Sequence, residues 1–464
     1  MELVVMRPFW LYYNTNMKVA NKREPFLLLI GDIACLTLSL WLMLYLRAFN
    51  IPSLAVFTAH LAPFGILFLA SLVVYYISGL YEKHNSILRS RLASVIIKAQ
   101  IANSLVAIAF FYFVPYFGIT PKTNLFLYLL ISIIIITLWR LIFYPFFLPG
   151  KKRRAVIIGS GTEMEDIIRE VNNDPHYDFQ LSRIIDLTET DKATIPDIIK
   201  QEVMDNDVSM IVIDLDHAKI KDVSPKLFDL IFMNVDFVPM YSVYEHVFYR
   251  IPYSALKHDW FIENISSRAK GSYSFGKRVI DITLAGIAFI ISLIFYPLIW
   301  IAIKIQDGGP LFVYQERLGQ GNKKFMIRKF RSMRAAKHDD GAWVGKDDMR
   351  ITTLGRIMRK TSIDELPQLW SVLKGDLSLI GPRPDLYDRG IELSQQIPYY
   401  NIRNLLKPGL SGWAQVSQAL PPQSLEETKL RLAYDIYYVK NKSLFMDFVI
   451  VLRTIRSLFL RLKQ

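Results

Sequence analysis

Cysteine is almost missing: Cys35 stands alone among 464 residues. That excludes an intramolecular disulfide and any zinc site built on cysteine. Cys35 lies within an apolar segment and reads as a packed or lipid-facing small side chain. The 7 histidines are scattered without metal-ligand spacing, and His84 and His258 read as ordinary surface residues. Acidic charge is also short, with 42 Asp and Glu against 55 Lys and Arg, a net +13. Such an excess suits nucleic acid or an anionic membrane face. The apolar segments favour the membrane, and no nucleic-acid partner is expected. The basic, aromatic arm Met1–Glu24 lacks the small-residue cleavage site of a signal peptide, so it is expected to be retained.

What the chain has in excess is apolar length. Hydrophobic residues make up 52% and aromatics 13%, too apolar for an ordinary soluble protein and long enough for several domains. Four apolar segments lie at about Pro25–Leu46, Leu61–Tyr81, Val95–Phe117 and Asn124–Phe147. Each is near the ~20 residues needed to cross a bilayer. Lys18, Lys22 and Arg23 precede the first. Lys83, Arg89, Arg91 and Lys98 cluster between the second and third, and Lys151, Lys152, Arg153 and Arg154 follow the fourth. The loops Asn50–His60 and Gly118–Thr123 carry only Lys122. The positive-inside rule therefore places both ends of a four-helix bundle in the cytoplasm. Asp32 and Arg140 are the clearest charges within the spans. They could mark a transport path, but such charges near span ends more often face a partner helix or snorkel.

From Ala155 to about Asn264 the character changes. Arg154–Gly159 reads as a buried strand, followed by Ser160-Gly161 and a helix from about Glu163. Further strands are predicted at Gln180–Ile185, Ser209–Asp214 and Asp236–Tyr241, with helices between them, which means a parallel sheet of Rossmann type. The nucleotide fingerprint is incomplete, because Met164 stands where the third glycine of G-x-G-x-x-G should be. A scaffold or regulatory domain is the expected role, with bound nucleotide as the alternative.

A second apolar run, Ile282 to Ile303, has basic residues on both flanks. Lys277 and Arg278 come before it, and Lys304, Arg317, Lys323, Lys324, Arg328, Lys329 and Arg331 come after. Pro297 lies inside the run, where it would break the bond to the carbonyl of Leu293 and kink the helix. A kinked helix that enters and leaves by one face keeps both clusters inside. The alternative is an ordinary span with a proline kink. The basic strand Phe325–Met333 that follows favours anion contacts over a merely solvated edge.

The centre of the chain's chemistry is Thr361-Ser362-Ile363-Asp364-Glu365-Leu366-Pro367-Gln368, with Arg356 and Arg359 before it and Arg383 after. One reading is structural. Ser362 and Glu365 have capping-box spacing, and the two acids complement a helix dipole. The other is chemical. A helix N-terminus keeps a carboxylate ionised and attracts phosphate oxygens. Adjacent side chains on a helix diverge, which suits a division of labour: one acid attacks phosphorus and the other holds a metal. Further on, a helix is predicted from about Leu425. The tail Leu444–Lys463 suits a helix lying in the membrane interface.

Several motifs occur together and in order. They are Gly309-Pro310-Leu311-Phe312, Lys329-Phe330-Arg331-Ser332-Met333, Thr361–Gln368, Gly375–Pro384 and Lys407–Val416. On these, residues from about Ser272 to Arg461 closely resemble the bacterial sugar transferases, the monotopic polyprenyl-phosphate glycosyl-1-phosphate transferases. By arrangement the whole chain resembles the large subclass that starts O-antigen, capsule and exopolysaccharide synthesis. The resemblance implies that Asp364 is the nucleophile, that Glu365 coordinates Mg²⁺, and that Arg359 and Arg383 contact phosphate groups. Lys329, Arg331 and Asp435 occupy recurrent motif positions near the site. Pro297 keeps the family's helix break, but Tyr296 stands where the family usually has serine, so a hydroxyl that could satisfy freed backbone groups is missing there.

The expected fold is a multidomain membrane α/β protein. Residues 1–150 hold the arm and four transmembrane helices, and 151–268 form a Rossmann-like cytoplasmic domain. Residues 269–464 form a mainly helical catalytic domain with a re-entrant helix at about 275–305. The resemblance implies transfer of a sugar-1-phosphate from a nucleoside diphosphate sugar, a UDP-hexose, to undecaprenyl phosphate at the bacterial inner membrane, by a homodimer. Two alternatives stay open: a processive membrane glycosyltransferase, and an inactive membrane scaffold or nucleotide sensor.

Overall fold

A computed structural model describes residues 23–464 apart from 79, 82–88, 114–121, 144–151, 174–176, 178, 234, 266–270, 307, 334–350, 419 and 464. The N-terminal arm, the far ends of the third and fourth spans and most of the basic connection after the second span lie outside these residues. The chain forms two compact units that meet in sequence between Val243 and Tyr244.

The first unit begins with α1 (Arg23–Ala48), α2 (Leu54–Ile77), α3 (Arg89–Phe113) and α4 (Lys122–Leu138), the last running on into a π turn, Trp139–Phe143. Four stretches here are long and apolar enough to cross a membrane: Leu27–Ala48, Leu54–Ile77, Val95–Tyr112 and Asn124–Phe143. The second starts at Leu54, seven residues earlier than the expected Leu61. Polar letters made that segment look like a loop. Ser53 caps the helix, the Thr58 hydroxyl returns to the Leu54 carbonyl (2.9 Å), and His60 Nδ1 lies 2.8 Å from the Val56 carbonyl. Their polarity is satisfied by the helix itself, so they do not interrupt it.

Asp32 and Arg140 face each other inside the bundle. Both are buried, and they form an ion pair that includes Arg140 Nε to Asp32 Oδ1 at 3.2 Å. The Tyr81 hydroxyl donates to Asp32 (2.7 Å), and Arg140 Nη1 donates to the Leu80 carbonyl (2.6 Å). Two charges that would be costly alone in lipid are thus paired and hydrogen-bonded across helices, the partner-helix arrangement rather than a transport path.

The α/β part contains β1 (Arg153–Gly159), α5 (Thr162–Asn173), β2 (Phe179–Asp186), α6 (Ile195–Asn206), β3 (Val208–Ile213), α7 (Ala218–Leu227) and β4 (Asp236–Pro239). The strands pair in the order β2-β1-β3-β4, all parallel. Met164 is buried. A Cβ on Gly159 would meet the Met240 sulfur at 2.7 Å and the Met164 sulfur at 3.4 Å, so methionine fills the space beside the first glycine of the fingerprint. Asp186, at the end of β2, bonds the amide and hydroxyl of its own turn residue Thr188 (2.8 and 2.7 Å).

Helix α8 (Met240–Phe248) carries the chain into the second unit, and α9 (His258–Asn264) follows. This stretch packs on the far end of the sequence. Trp413 Nε1 donates to the Tyr249 carbonyl (2.9 Å), Ile251 N–H to the Ala433 carbonyl (3.2 Å), and Lys440 to Glu245 (2.7 Å). Next come α10 (Gly271–Ser292) and α11 (Phe295–Gln306), two apolar arms bent by 50°.

The break falls at Leu293-Ile294, four residues ahead of Pro297 at its first residue. Pro297 sits in the first turn of α11, where its missing N–H costs little. The Leu293 carbonyl that proline cannot serve accepts from Tyr296 N–H (3.2 Å). A serine hydroxyl is present after all: Ser292 Oγ donates to the Phe289 carbonyl (2.6 Å), at the end of α10 rather than beside the proline. The foot of α10 is bolted to the unit. Lys277 pairs with Asp447 (2.9 Å), Arg278 donates to the carbonyls of Val372 and Leu373 (both 2.7 Å), and Asp281 accepts from Leu379 N–H (3.1 Å).

The rest of the unit comprises the antiparallel hairpin β5 (Phe312–Leu318) and β6 (Lys324–Phe330), then α12 (Thr353–Thr361), α13 (Leu369–Lys374), β7 (Ser378–Ile380), α14 (Tyr387–Gln396), β8 (Gly409–Ser411), α15 (Trp413–Ser417), α16 (Leu425–Asn441) and α17 (Leu444–Lys463). β7 and β8 pair in parallel. The stripe of α17 read as a membrane-interface face is used on protein: Met446, Val449 and Ile450 are buried, and Arg453 stacks over Trp413 at 4.7 Å.

Candidate active site

The local chain course around the two acids departs from the helix-start reading. Ser362 terminates α12 in the left-handed conformation (φ 57°), its amide donating to the Arg359 carbonyl (3.3 Å), and its side chain caps nothing. Asp364 and Glu365 then lie in a 3-10 turn, Ile363–Gln368, and α13 starts only at Leu369. No capping box forms. The Glu365 carboxylate turns away to meet two cations: its Oε1 accepts from Lys329 Nζ (2.8 Å) and from Arg383 Nη2 (2.7 Å). Lys329 comes from β6, where strand alternation puts it on the same face as buried Ile327. Arg383 comes from the loop after β7.

The adjacent carboxylates therefore have opposite electrostatics. Asp364 is buried, and among the described residues no side chain hydrogen-bonds it. Burial, then the neighbouring Glu365 charge, push its pKa up to about 6, with Lys329, Arg359 and Arg383 only partly offsetting them. Burial also acts on Glu365, but Arg383 and Lys329 outweigh it and hold that carboxyl well below the ordinary range. The same burial lowers Lys329, while Glu365 holds Arg383 above its usual value.

Both acids open into a cavity of about 370 Å³. Lys329, Arg359, Arg383 and Asp435 line it too, so the fold brings together six of the seven residues singled out there from sequence. Arg331 is not among the lining residues; its Nε donates to the Met333 carbonyl (3.1 Å) and its N–H to Leu311 (3.0 Å), tying the end of β6 to the chain entering β5. Arg359 is the lining cation without a carboxylate partner among the described residues; its side chain reaches the Met333 sulfur (3.3 Å). That leaves it open to an anionic ligand.

On the cavity's other wall, Asp435 was singled out from sequence and its neighbours were not. Gln415 and Gln418 line it with Leu420, Pro421 and Pro422, and Arg431 stands beside Asp435. Arg431 and Asp435 are four residues apart on one face of α16, a spacing that would have pointed from one to the other. Among the described residues no cluster of three His, Cys, Asp or Glu side chains could hold a metal.

Comparison with known proteins sharpens this picture. Residues 272–461 match the bacterial sugar transferase family. Over 190 residues the chain is 43% identical to a UDP-N-acetylgalactosamine-undecaprenyl-phosphate N-acetylgalactosaminephosphotransferase of Aeromonas hydrophila, covering 40% of this chain and 44% of that one. It is 41% identical over 187 residues to a UDP-glucose:undecaprenyl-phosphate glucose-1-phosphate transferase of Caulobacter vibrioides, covering 39% of this chain and 69% of the relative. It is 36% identical to the exopolysaccharide production protein PSS of Rhizobium leguminosarum bv. phaseoli, covering 39% of this chain and 94% of PSS. The matched part thus spans less than half of the Aeromonas protein and nearly all of the Rhizobium one. The acidic pair, its cations and the loops that carry them all fall inside it, and the chain belongs to the bacterial sugar transferase family.

Proposed function

We propose that the protein transfers a sugar-1-phosphate from a nucleoside diphosphate sugar, a UDP-hexose, to undecaprenyl phosphate, with Asp364 as a covalent nucleophile. The observation that carries this is the split between two neighbouring carboxylates in one cavity. Glu365 is neutralised by Lys329 and Arg383, whereas Asp364 has no such partner and faces the open space. An ionised Asp364 oxygen attacks the phosphorus bonded to the sugar oxygen. The bond to the UMP oxygen breaks, and UMP leaves with that electron pair. The phosphate of undecaprenyl phosphate then attacks the same phosphorus and expels Asp364, giving the lipid-linked diphosphosugar. Arg359 and Arg383 are placed to bind phosphate oxygens, where charge-assisted bonds are strong. A carboxylate is a weak nucleophile, so orientation and neutralisation of the phosphate supply the advantage.

The site's chemistry fits Mg²⁺. Glu365 is kept ionised, and its Oε2 accepts from neither cation, so it would hold the metal together with water and donor phosphates, the usual ligand set of this hard cation. When bound it supplies further neutralisation of the diphosphate.

The bent α10–α11 pair is part of the reading, as a re-entrant helix at the cytoplasmic face of the inner membrane. Both arms hold to the same unit: α10 through Lys277, Arg278 and Asp281, and α11 through buried Ile299 and Ile303 against Phe330 and Met358. Their outer faces, including Ile287, Ile291, Leu298 and Ile301, are exposed and apolar. A soluble donor and a lipid acceptor would meet there. A homodimer and a regulatory Rossmann-like domain complete the proposal.

The test is release of nucleotide by purified protein with UDP-glucose and UDP-N-acetylgalactosamine, in the absence of lipid. About one equivalent of UMP per site is expected, with sugar label left on Asp364, the burst of a covalent intermediate. Release of UDP would support a processive glycosyltransferase, and label on Glu365 would reverse the roles. UMP release that strictly requires lipid, with no trapped adduct, would favour direct attack by the lipid phosphate.

A further inference from the structure

The loop that carries Arg383 is Gly381-Pro382-Arg383-Pro384-Asp385, and its four consecutive carbonyls from Pro382 to Asp385 are all hydrogen-bonded. The Pro382 carbonyl accepts from Gly409 N–H (3.0 Å), and the Asp385 carbonyl from Leu318 N–H (3.0 Å). The two carbonyls between them have no backbone donor and are met by guanidinium groups instead. Arg403 Nη2 donates to the Arg383 carbonyl (2.7 Å), and Arg317 Nη1 to the Pro384 carbonyl (3.1 Å). Prolines on both sides of Arg383 limit its backbone further. A loop with four consecutive carbonyls engaged has few ways to move.

Arg403 is the centre of this arrangement. It is 2% exposed, in the 3-10 turn Tyr400–Leu405. Besides the Arg383 carbonyl it reaches Asp385 on the same loop, pairs with Asp435 on α16 (2.8 Å), and donates to the Tyr400 hydroxyl (2.9 Å). Asp385 is gripped a second time by Arg431 (2.7 Å), one turn before Asp435 on α16, and by the Tyr400 hydroxyl (2.7 Å). One planar guanidinium thus ties the loop of Arg383 to the helix that forms the cavity's opposite wall. Its fixed fork is what a lysine cannot reproduce.

We infer that Arg403 is a positioning residue for phosphate transfer: it fixes the backbone of Arg383, and Asp435 acts by holding Arg403 rather than by touching substrate. This rests on the proposed function. The family resemblance puts Asp435 near the site without a role, and the contact through Arg403 suggests one.

The test is a double-mutant cycle in the full chain in lipid nanodiscs, reading UMP release with UDP-glucose or UDP-N-acetylgalactosamine and undecaprenyl phosphate. Arg403→Lys keeps the charge but not the fork, and should lower kcat by ~10- to 100-fold with a smaller change in KM, in the range of losing one oriented donor. In an Arg383→Ala background the same change should cost less than about twofold, because the group it positions is gone. Equal losses in both backgrounds, or wild-type kcat in Arg403→Lys, would overturn the inference. If Arg403→Lys does not fold, Asp435→Asn takes its place, with a loss of ~3- to 10-fold that likewise vanishes without Arg383. An Asp435→Asn loss that persists in Arg383→Ala would count against it in the same way. Wild-type protein that turns over neither donor would remove the proposed function itself, and the positioning role with it.

Discussion

Asp364 and Glu365 differ by one methylene and sit side by side, yet the fold gives them opposite tasks in folding as well as in chemistry. A carboxyl whose pKa is raised by folding destabilises the native state once ionised. For Asp364 the native state is favoured below about 3.8, and stability falls as pH rises towards about 6. Asp364→Asn should therefore abolish turnover while raising stability at pH 7.5 by up to roughly 3 kcal/mol, at about 1.4 kcal/mol for each pH step between 3.8 and about 6. The gain should disappear by pH 4, and thermal unfolding at the two pH values checks it. Glu365 behaves in reverse. Its pKa is depressed, so its contribution is present above its unfolded value and lost as pH falls, and Glu365→Gln should destabilise the protein at pH 7.5. Because Asp364 must be ionised to attack, UMP release in the lipid-free burst should rise with pH up to about 6 and then level off. A burst rate flat from pH 5 to 8 would count against Asp364 as the attacking group. The identity of the pair was legible in the sequence, but its environment was not. The cations that neutralise Glu365 lie 36 residues before it and 18 after, and only the fold makes them neighbours. The capping-box spacing misled for a local reason: Ser362 is needed in the left-handed conformation to end α12, so it cannot also start α13.

The bent pair α10–α11 was placed from sequence by basic residues on both flanks and by Pro297, two signals readable in one dimension. The position of the break was readable as well, because a proline disturbs the turn before it while fitting its own first turn without strain, and the bend falls at Leu293, whose carbonyl Pro297 cannot serve. The hydroxyl at Ser292 was not readable, because it lies at the end of α10 rather than beside the proline. The late start given to α2 has a similar cause: Thr58 and His60 look like loop residues until their bonds to the helix backbone are seen. If α10–α11 is re-entrant, single cysteines at Ser274 and Lys323, in a Cys35→Ala background, should both be labelled only from the cytoplasmic side. Lys323 is preferable to its neighbour Asn322, whose φ of 62° a new side chain would tolerate poorly. Labelling of position 323 from outside would make the pair a kinked span. Pro297→Leu should favour a straight helix and lower activity at least ~10-fold, since re-aiming α11 moves Ile299 and Ile303 off Phe330 and Met358 and disturbs the strand that carries Lys329.

At the scale of the whole molecule, the four spans and the parallel sheet were legible because each depends on runs of apolar residues along the chain. The network joining Arg317, Asp385, Arg403, Arg431 and Asp435 was not, because its members come from separate elements and no spacing relates most of them. The same distinction governs where the protein can be divided. Every residue lining the active-site cavity lies between Lys329 and Asp435. The Rhizobium relative is almost entirely covered by the matched part, so a chain with little else is built in this family. A cut at Gly271 would nevertheless remove Glu245 from Lys440 and Asn441, Ile251 from Ala433, and the Tyr249 carbonyl from the buried Trp413 indole. An orphaned buried donor costs about 1–3 kcal/mol, and Trp413 opens the helix that presents Gln415 to the cavity. A fragment from Tyr244 to Gln464 in nanodiscs should therefore fold and keep UMP release within about tenfold of the full chain, whereas a fragment from Gly271 should be less stable and less active. Paired measurements of unfolding temperature and UMP release on both fragments make the comparison. A Tyr244 fragment that folds and binds lipid yet releases no UMP would mean that the first unit contributes to catalysis, directly or by holding two copies together.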